Sequence, residues 1–402
     1  MDVLTRMRTI GCPLRGGFGK QKPFKIEPTD STREARRLLA ERDEKIQISN
    51  DLYEFDEEDA SDIIYLTSFR LMRNETSVIN IHPRVHRYVS HSICQTNYTP
   101  RTNLGYLDKL PLELLHDICI NYLDLRSLFR FRHTNRRAQI VVHNIRGYRT
   151  ITAHALGSFC AIYRSQIARW YTLRNLLDLL HQRDCTFCGR FGGYVFLISF
   201  TRCCYLCMSQ MPQLEAATVG EITMHYPLTE EDLEDVPKVR TVGGQGYSCP
   251  SVCSRWPLQL VAEGHIAGPE NCGFIDKIRL LLDPTIERPH PLRFMSTTFL
   301  PYVDRDSGHV EYGVACIGCS VGFEGIVRSD DGPSELGDKY YHLEGIAYSE
   351  EGFIEHFRRC PISQVIWEEC CRACELEQTV NLEELALEKG WYKVRRDGTR
   401  HK

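Results

Sequence analysis

The sequence predicts an α+β protein in which three short helices and a helical connector precede a mixed α/β C-terminal region, with a disordered segment ahead of them. Three observations carry this reading. Apolar residues recur at helical spacing between Leu104 and His181. A β-branched and aromatic run, Tyr194 to Phe200, follows the Gly192-Gly193 pair as a strand follows a turn. Cysteines, eighteen in all, gather mainly beyond residue 184, several of them in two-residue knuckles.

The segment 1–103 is polar, with an acidic run through Glu54, Asp56, Glu57, Glu58, Asp59 and Asp62. Such a composition buries too little apolar surface to offset the entropy of ordering a backbone, so disorder with at most short helices is expected. Order is expected from Leu104. Pro111 stands where a first helical turn tolerates it, and Leu114, Leu115, Ile118, Cys119 and Tyr122 follow at helical spacing. Asp124 is the expected N-cap of a second helix carrying Leu125, Leu128 and Phe129. A third helix begins near Thr134 or Asn135 and carries Ala138, Ile140 and Val141. These fill 104–145. The connector, 146–183, ends in a helix capped by Thr172 with Leu173, Leu176, Leu177 and Leu180 on one face. The cysteine-rich region spans 184–376, its last part, Glu351 to Leu376, again helical, and 377–402 reads as a charged tail.

Composition excludes several function classes. A net charge of -4 gives no overall basic field to concentrate the chain on nucleic acid or anionic membrane. Met1 to Gly17 lacks the apolar core of a secretory signal, and the longest dense apolar run is far shorter than the roughly 20 residues of a membrane span. A soluble protein of the cytoplasm or nucleus is expected, and in that reducing setting grouped thiols bind metal more often than they pair as disulfides. There is no phosphate-cradling glycine loop with lysine, no His-Glu-x-x-His helix and no nucleophile elbow, so no enzyme is expected.

Three short helices in about forty residues make too small a core to stand alone, and Leu110, Leu114, Leu115, Ile118, Leu123, Leu125 and Leu128 exceed what one small bundle covers. A partner helix is the natural place for the excess. The order Leu110-Pro111-Leu112-Glu113-Leu114-Leu115, then Ile118, then Tyr122-Leu123-Asp124-Leu125, then Leu128, then Arg132 to Arg137, resembles an F-box. The chain departs from many F-boxes in reading Asn-Arg-Arg-Ala at 135–138, where a tryptophan is common. The resemblance implies a substrate receptor of a ubiquitin ligase. Leu110, Pro111, Leu114, Leu115, Ile118, Leu123, Leu125 and Leu128 would dock on a Skp-family adaptor, through it on a cullin scaffold, and the rest of the chain would recruit a protein target.

Cys185-Thr-Phe-Cys188 and Cys204-Tyr-Leu-Cys207 are two knuckles at the separation expected of a zinc site. Each knuckle lets two thiolates reach one ion from a tight turn. Cys203, adjacent to Cys204, is an alternative ligand with a less suitable spacing. With four thiolates no coordination position stays open, so the zinc would be structural. A second set combines Cys316-Ile-Gly-Cys319 with His356 and Cys360, which lie four apart and would share one face of a helix. Cys371 and Cys374 are rival closers of that site. The Cys185 to Cys207 segment, and the phrase around Phe353, His356, Phe357, Cys360 and Trp367, are also similar to cysteine-rich F-box proteins common in fungi. The alternative function is a zinc-stabilised nucleic-acid-binding or transcription-related protein. Only Arg190 and Arg202 lie between the first site's terminal cysteines, which is thin for phosphate contacts.

Overall fold

The computed structural model describes residues 52–70, 103–242, 258–268, 291–328, 346–376 and 379–391, with the positions 37, 49, 78, 79, 93, 94, 273–275, 277, 339, 340 and 343. The described residues mix helix and strand and divide into two compact units. One draws on Asn74–Thr186 and Gly192–Val310, the other on Thr29–Arg73, Phe187–Phe191 and Glu311–Lys402.

Within 1–103, where disorder with at most short helices is expected, residues 52–70 hold one short helix and a three-residue strand. Helix α1 (Ala60–Thr67) follows a 3-10 turn whose acidic residues Glu57, Glu58 and Asp59 sit at its N-terminal end, the favourable end of a helix dipole for negative charge. Ile63 is wholly buried, and strand β1 (Ser68–Arg70) continues directly from the helix. Most other positions of 1–103 lie outside the described residues.

In the first unit the helices begin with α2 (Leu112–Asp117), led in by Pro111, which leaves no amide hydrogen to satisfy there. Its continuation, Ile118–Tyr122, is a wider π-turn closed by Leu123 N–H donating to the Ile118 carbonyl at 3.0 Å. Asp124 caps α3 (Leu125–Arg132) by accepting from Ser127 N–H, and Asn135 caps α4 (Arg136–Asn144) by accepting from Ala138 N–H. Both caps lie where the sequence puts them. Helices α5 (Arg146–His154), α6 (Leu156–Arg164) and α7 (Leu173–Leu180) follow, and Thr172 and Asn175 form a reciprocal capping box on α7. Leu125, Leu128, Val141, Val142, Tyr148, Ile151 and Phe159 are buried along these helices.

The strand expected over Tyr194 to Phe200 is shorter, because the chain turns at 197–200 and only β2 (Tyr194–Phe196) and β3 (Thr201–Cys203) pair. Phe200 adopts φ 54°, a left-handed conformation rare for a bulky residue, and its ring stacks on Tyr171 at 3.9 Å. After α8 (Tyr205–Gln210), the chain supplies β4 (Ala216–Thr218), α9 (Val219–His225), β5 (Lys238–Arg240), β6 (Gln259–Ala262), α10 (Glu263–Ala267), α11 (Pro291–Met295) and β7 (Thr297–Phe299). Two antiparallel sheets result, ordered β3-β2-β7 and β4-β6-β5. Arg293 on α11 is buried and donates twice to the Glu215 carboxylate, at 2.6 and 2.7 Å, and once to the Met211 carbonyl at 2.8 Å.

In the second unit β8 (Val314–Cys316) pairs antiparallel with β1, Ser68 opposite Cys316 and Arg70 opposite Val314. Helices α12 (Ile317–Arg328), α13 (Glu350–Phe357), α14 (Pro361–Glu375) and α15 (Leu382–Glu388) complete it. Tyr53 and Phe55 meet Phe357 edge-on at 5.7 and 5.8 Å. Leu385 and Ala386 are buried in the same core, so the expected charged tail, 377–402, contains a packed helix. The last eleven residues lie outside the described part.

Candidate functional site

Both cysteine sets named from sequence are brought together. The ligating atoms of Cys185, Cys188, Cys204 and Cys207 lie within 4.8 Å of one another, as do those of Cys316, Cys319, His356 and Cys360. Each group can hold a metal ion. Metal–thiolate and metal–imidazole bonds of roughly 2.3 and 2.0 Å in a tetrahedron put the donors about 3.5–3.8 Å apart. In the second group Cys360 Sγ is 3.7 Å from Cys316 Sγ and 4.0 Å from Cys319 Sγ, and His356 Nε2 is 3.3 Å from Cys319 Sγ. These three distances are close to the spacing of a tetrahedral site.

The knuckles arise locally. Cys207 N–H donates to Cys204 Sγ and Cys319 N–H to Cys316 Sγ, each at 3.4 Å, which curls the second cysteine back toward the first. This separates Cys204 from its neighbour. Cys204 caps α8 with its sulfur in the group, whereas Cys203 belongs to β3, paired opposite Tyr194. Gly189, directly after Cys188, takes φ 79° where a side chain would strain the turn. Gly318 has no room for a side chain, since a Cβ would stand 2.6 Å from the Ser363 amide nitrogen at the start of α14.

Sequence spacing suggested that His356 and Cys360 share a helix face. They do not. His356 is on the last turn of α13, which ends at Phe357, and Cys360 lies past that end as the N-cap of α14, whose first residue is Pro361. The proline ends one helix and starts the next, and the turn between them carries the thiol back to the imidazole. Cys371 and Cys374 stay on α14 outside the group, half-buried and exposed.

Two residues adjoin these sites in roles that the sequence does not disclose. Tyr348 stacks on His356 at 4.7 Å, and its Oη lies 3.3 Å from Nδ1. A metal ion held by Nε2 would leave Nδ1–H to donate to Tyr348, the arrangement a histidine ligand needs. Arg202 on β3 is wholly buried and surrounded by carbonyl oxygens: it donates to Leu179 at 3.1 Å, Leu300 at 3.1 Å, Pro301 at 2.6 Å and Gly192. Its own carbonyl accepts from Thr186 N–H inside the first knuckle at 3.0 Å. Burial lowers the guanidinium pKa to about 9, opposed by the nearby Cys203, Cys185 and Asp184. A thiolate centre beside it supplies negative charge that its carbonyl partners do not.

Burial raises the Cys319 thiol well above its ordinary range, and the adjoining Cys316 and Cys360 raise it further. Three thiolates cannot share this space by themselves. A divalent cation reverses the balance by stabilising them, so metal binding here is coupled to proton release.

No family model, curated protein or solved structure matches this chain. Nor, among the described residues, is any helix long and apolar enough to cross a membrane.

The leucines of the helical motif divide sharply by exposure. Leu115, Leu125 and Leu128 are in the chain's own core, at most 4% exposed, which leaves them out of reach of a partner. Leu110 and Leu123 are half-buried and Pro111 is exposed. Leu114 and Ile118 are 51% and 37% exposed, joined by Leu112 at 40% and by Tyr106, Leu107 and Tyr122, none of which belongs to the docking set expected from sequence. These six side chains fall within seventeen residues of chain, whereas isolated exposed leucines elsewhere need no explanation.

Proposed function

We propose that this chain is a non-catalytic F-box adaptor, docking on a Skp-family subunit of a cullin ubiquitin ligase and presenting a protein target, with its two Cys/His groups holding structural zinc. The observation that carries the docking half is the unburied apolar stretch between Tyr106 and Tyr122, which runs across the helix whose Leu-Pro opening resembles the family and the turns that flank it. An ordinary three-helix bundle would turn these leucines inward. Here Leu115, Leu125 and Leu128 hold the bundle together, and Leu112, Leu114 and Ile118 are left to meet a partner.

The donors support zinc: four cysteines at one site, three cysteines and an imidazole at the other, the soft sets that suit it. Every position is filled by protein, so neither ion would have an open place for water or substrate, and the role is to hold the fold. The nucleic-acid reading is weakened, because Arg202, one of two arginines between the first site's outer cysteines, is buried among carbonyls.

Two experiments test this reading. Co-expressed with a Skp-family adaptor, the chain is expected to elute with it as one complex, and L114R with I118R to elute alone with unchanged circular dichroism; free elution of the parent chain refutes the docking. Metal analysis is expected to find about two zinc ions per chain. C204S and C360S should each lower that number by about one, and a metal-free parent protein that stays folded would refute the zinc assignment.

A further inference from the structure

The first unit carries a charged cleft that neither the metal groups nor the docking helix uses. Its volume is about 680 Å³, within the usual range of ligand sites, and its lining includes Arg126, Arg169, Lys238 and Arg240 with Glu234 and Asp235. Four cations face two carboxylates, leaving an excess of two positive charges. Among the described residues none of the four cations is in an ion pair.

The backbone positions these cations from three separate elements. Lys238 and Arg240 are two apart on β5 and so project on one face, while Val239 between them is buried. Arg240 N–H donates to the Ser165 carbonyl at 2.8 Å, which fastens β5 to the end of α6. There Gln166 takes φ 62°, a left-handed conformation uncommon outside glycine, and turns the chain into the 3-10 turn Ile167–Arg169. That turn delivers Arg169, held by a hydrogen bond to the Glu234 carbonyl at 3.3 Å. Strained backbone at a cleft wall is a recurrent mark of ligand sites. The environment of Lys238 agrees: burial and then the Arg169 charge disfavour its ammonium, a penalty that a bound anion would offset.

We propose that this cleft binds a phosphate group, either free or carried on a protein side chain. Arginines on separate elements can fork onto the oxygens of one dianion, and the excess of two charges matches it. A nucleic-acid backbone fits less well, since Glu234 and Asp235 interrupt the run of positive charge that a continuous polyanion follows. The proposal does not rest on the adaptor reading, and its readout is separate from adaptor binding.

The test uses the full chain, a fluorescent phosphothreonine peptide with uncharged flanks, the same peptide unphosphorylated, and inorganic phosphate. The phosphopeptide is expected to bind at least tenfold more tightly than its unphosphorylated form and to be displaced by inorganic phosphate. R169Q with R240Q should weaken it at least tenfold without altering circular dichroism, and R169K with R240K, which keeps the charge but loses the fork, should weaken it less than R169Q with R240Q does. If inorganic phosphate binds and the peptide does not, with the same response to R169Q and R240Q, the cleft is assigned to free phosphate-type ligands. Absence of binding by both probes, binding indifferent to R169Q with R240Q, or tighter binding of single-stranded RNA that is lost in the same variant would overturn the proposal.

Discussion

I63D is expected to disassemble the second unit and release its metal, although Ile63 lies more than 250 residues from the cysteines concerned. The side chain is fully buried in the core that contains Cys316, Cys319 and Cys360, and α1 leads into β1, which pairs with the strand ending at Cys316. Removing such an isoleucine to alanine costs roughly 2–5 kcal/mol, and an unpaired buried carboxylate costs more. Thiol alkylation followed by mass spectrometry measures the outcome: Cys316, Cys319 and Cys360 should become reactive in I63D and in a chain lacking residues 1–72, and stay protected in the parent. Equal protection in all three would show that the N-terminal segment is dispensable to the site.

E215A is expected to destabilise the first unit by about 3–5 kcal/mol, because it removes the carboxylate that faces the buried Arg293 guanidinium. Buried pairs of this kind are weak evidence of net stabilisation, since both ions give up water. The double variant E215L with R293M therefore recovers most of the loss. Denaturant midpoints of the three proteins decide it, and additive losses in the double variant would contradict the argument.

The contrast between these two residues explains what sequence patterns could disclose. Cysteine knuckles are legible because their geometry is local: two residues between thiols determine whether both reach one ion, and all eight ligands named from spacing are brought together in two groups. The caps Asp124, Asn135 and Thr172 are legible for the same reason. Pairing of β1 with β8 is not, because Ser68 and Cys316 are 248 positions apart and the acidic residues around Phe55 and Ile63 hide the few apolar side chains that matter. Arg202, Arg293 and Glu215 were invisible for a different reason. Charged residues are almost always exposed, so nothing in the sequence distinguishes the rare ones that are buried and partnered. The leucines of the helical motif were legible as a set but not in their division, because helical periodicity identifies apolar residues without saying which of two surfaces each one meets.

That division provides the most direct test of the proposed docking. Affinity for a purified Skp-family adaptor should be measured by calorimetry for the parent chain, L112A with L114A, and L125A. The account predicts that L112A with L114A loses at least tenfold in affinity while its melting temperature is nearly unchanged, because both side chains are exposed in the free protein. L125A should instead lower the melting temperature, its side chain being fully buried. Binding of L112A with L114A as tight as that of the parent chain would contradict the account.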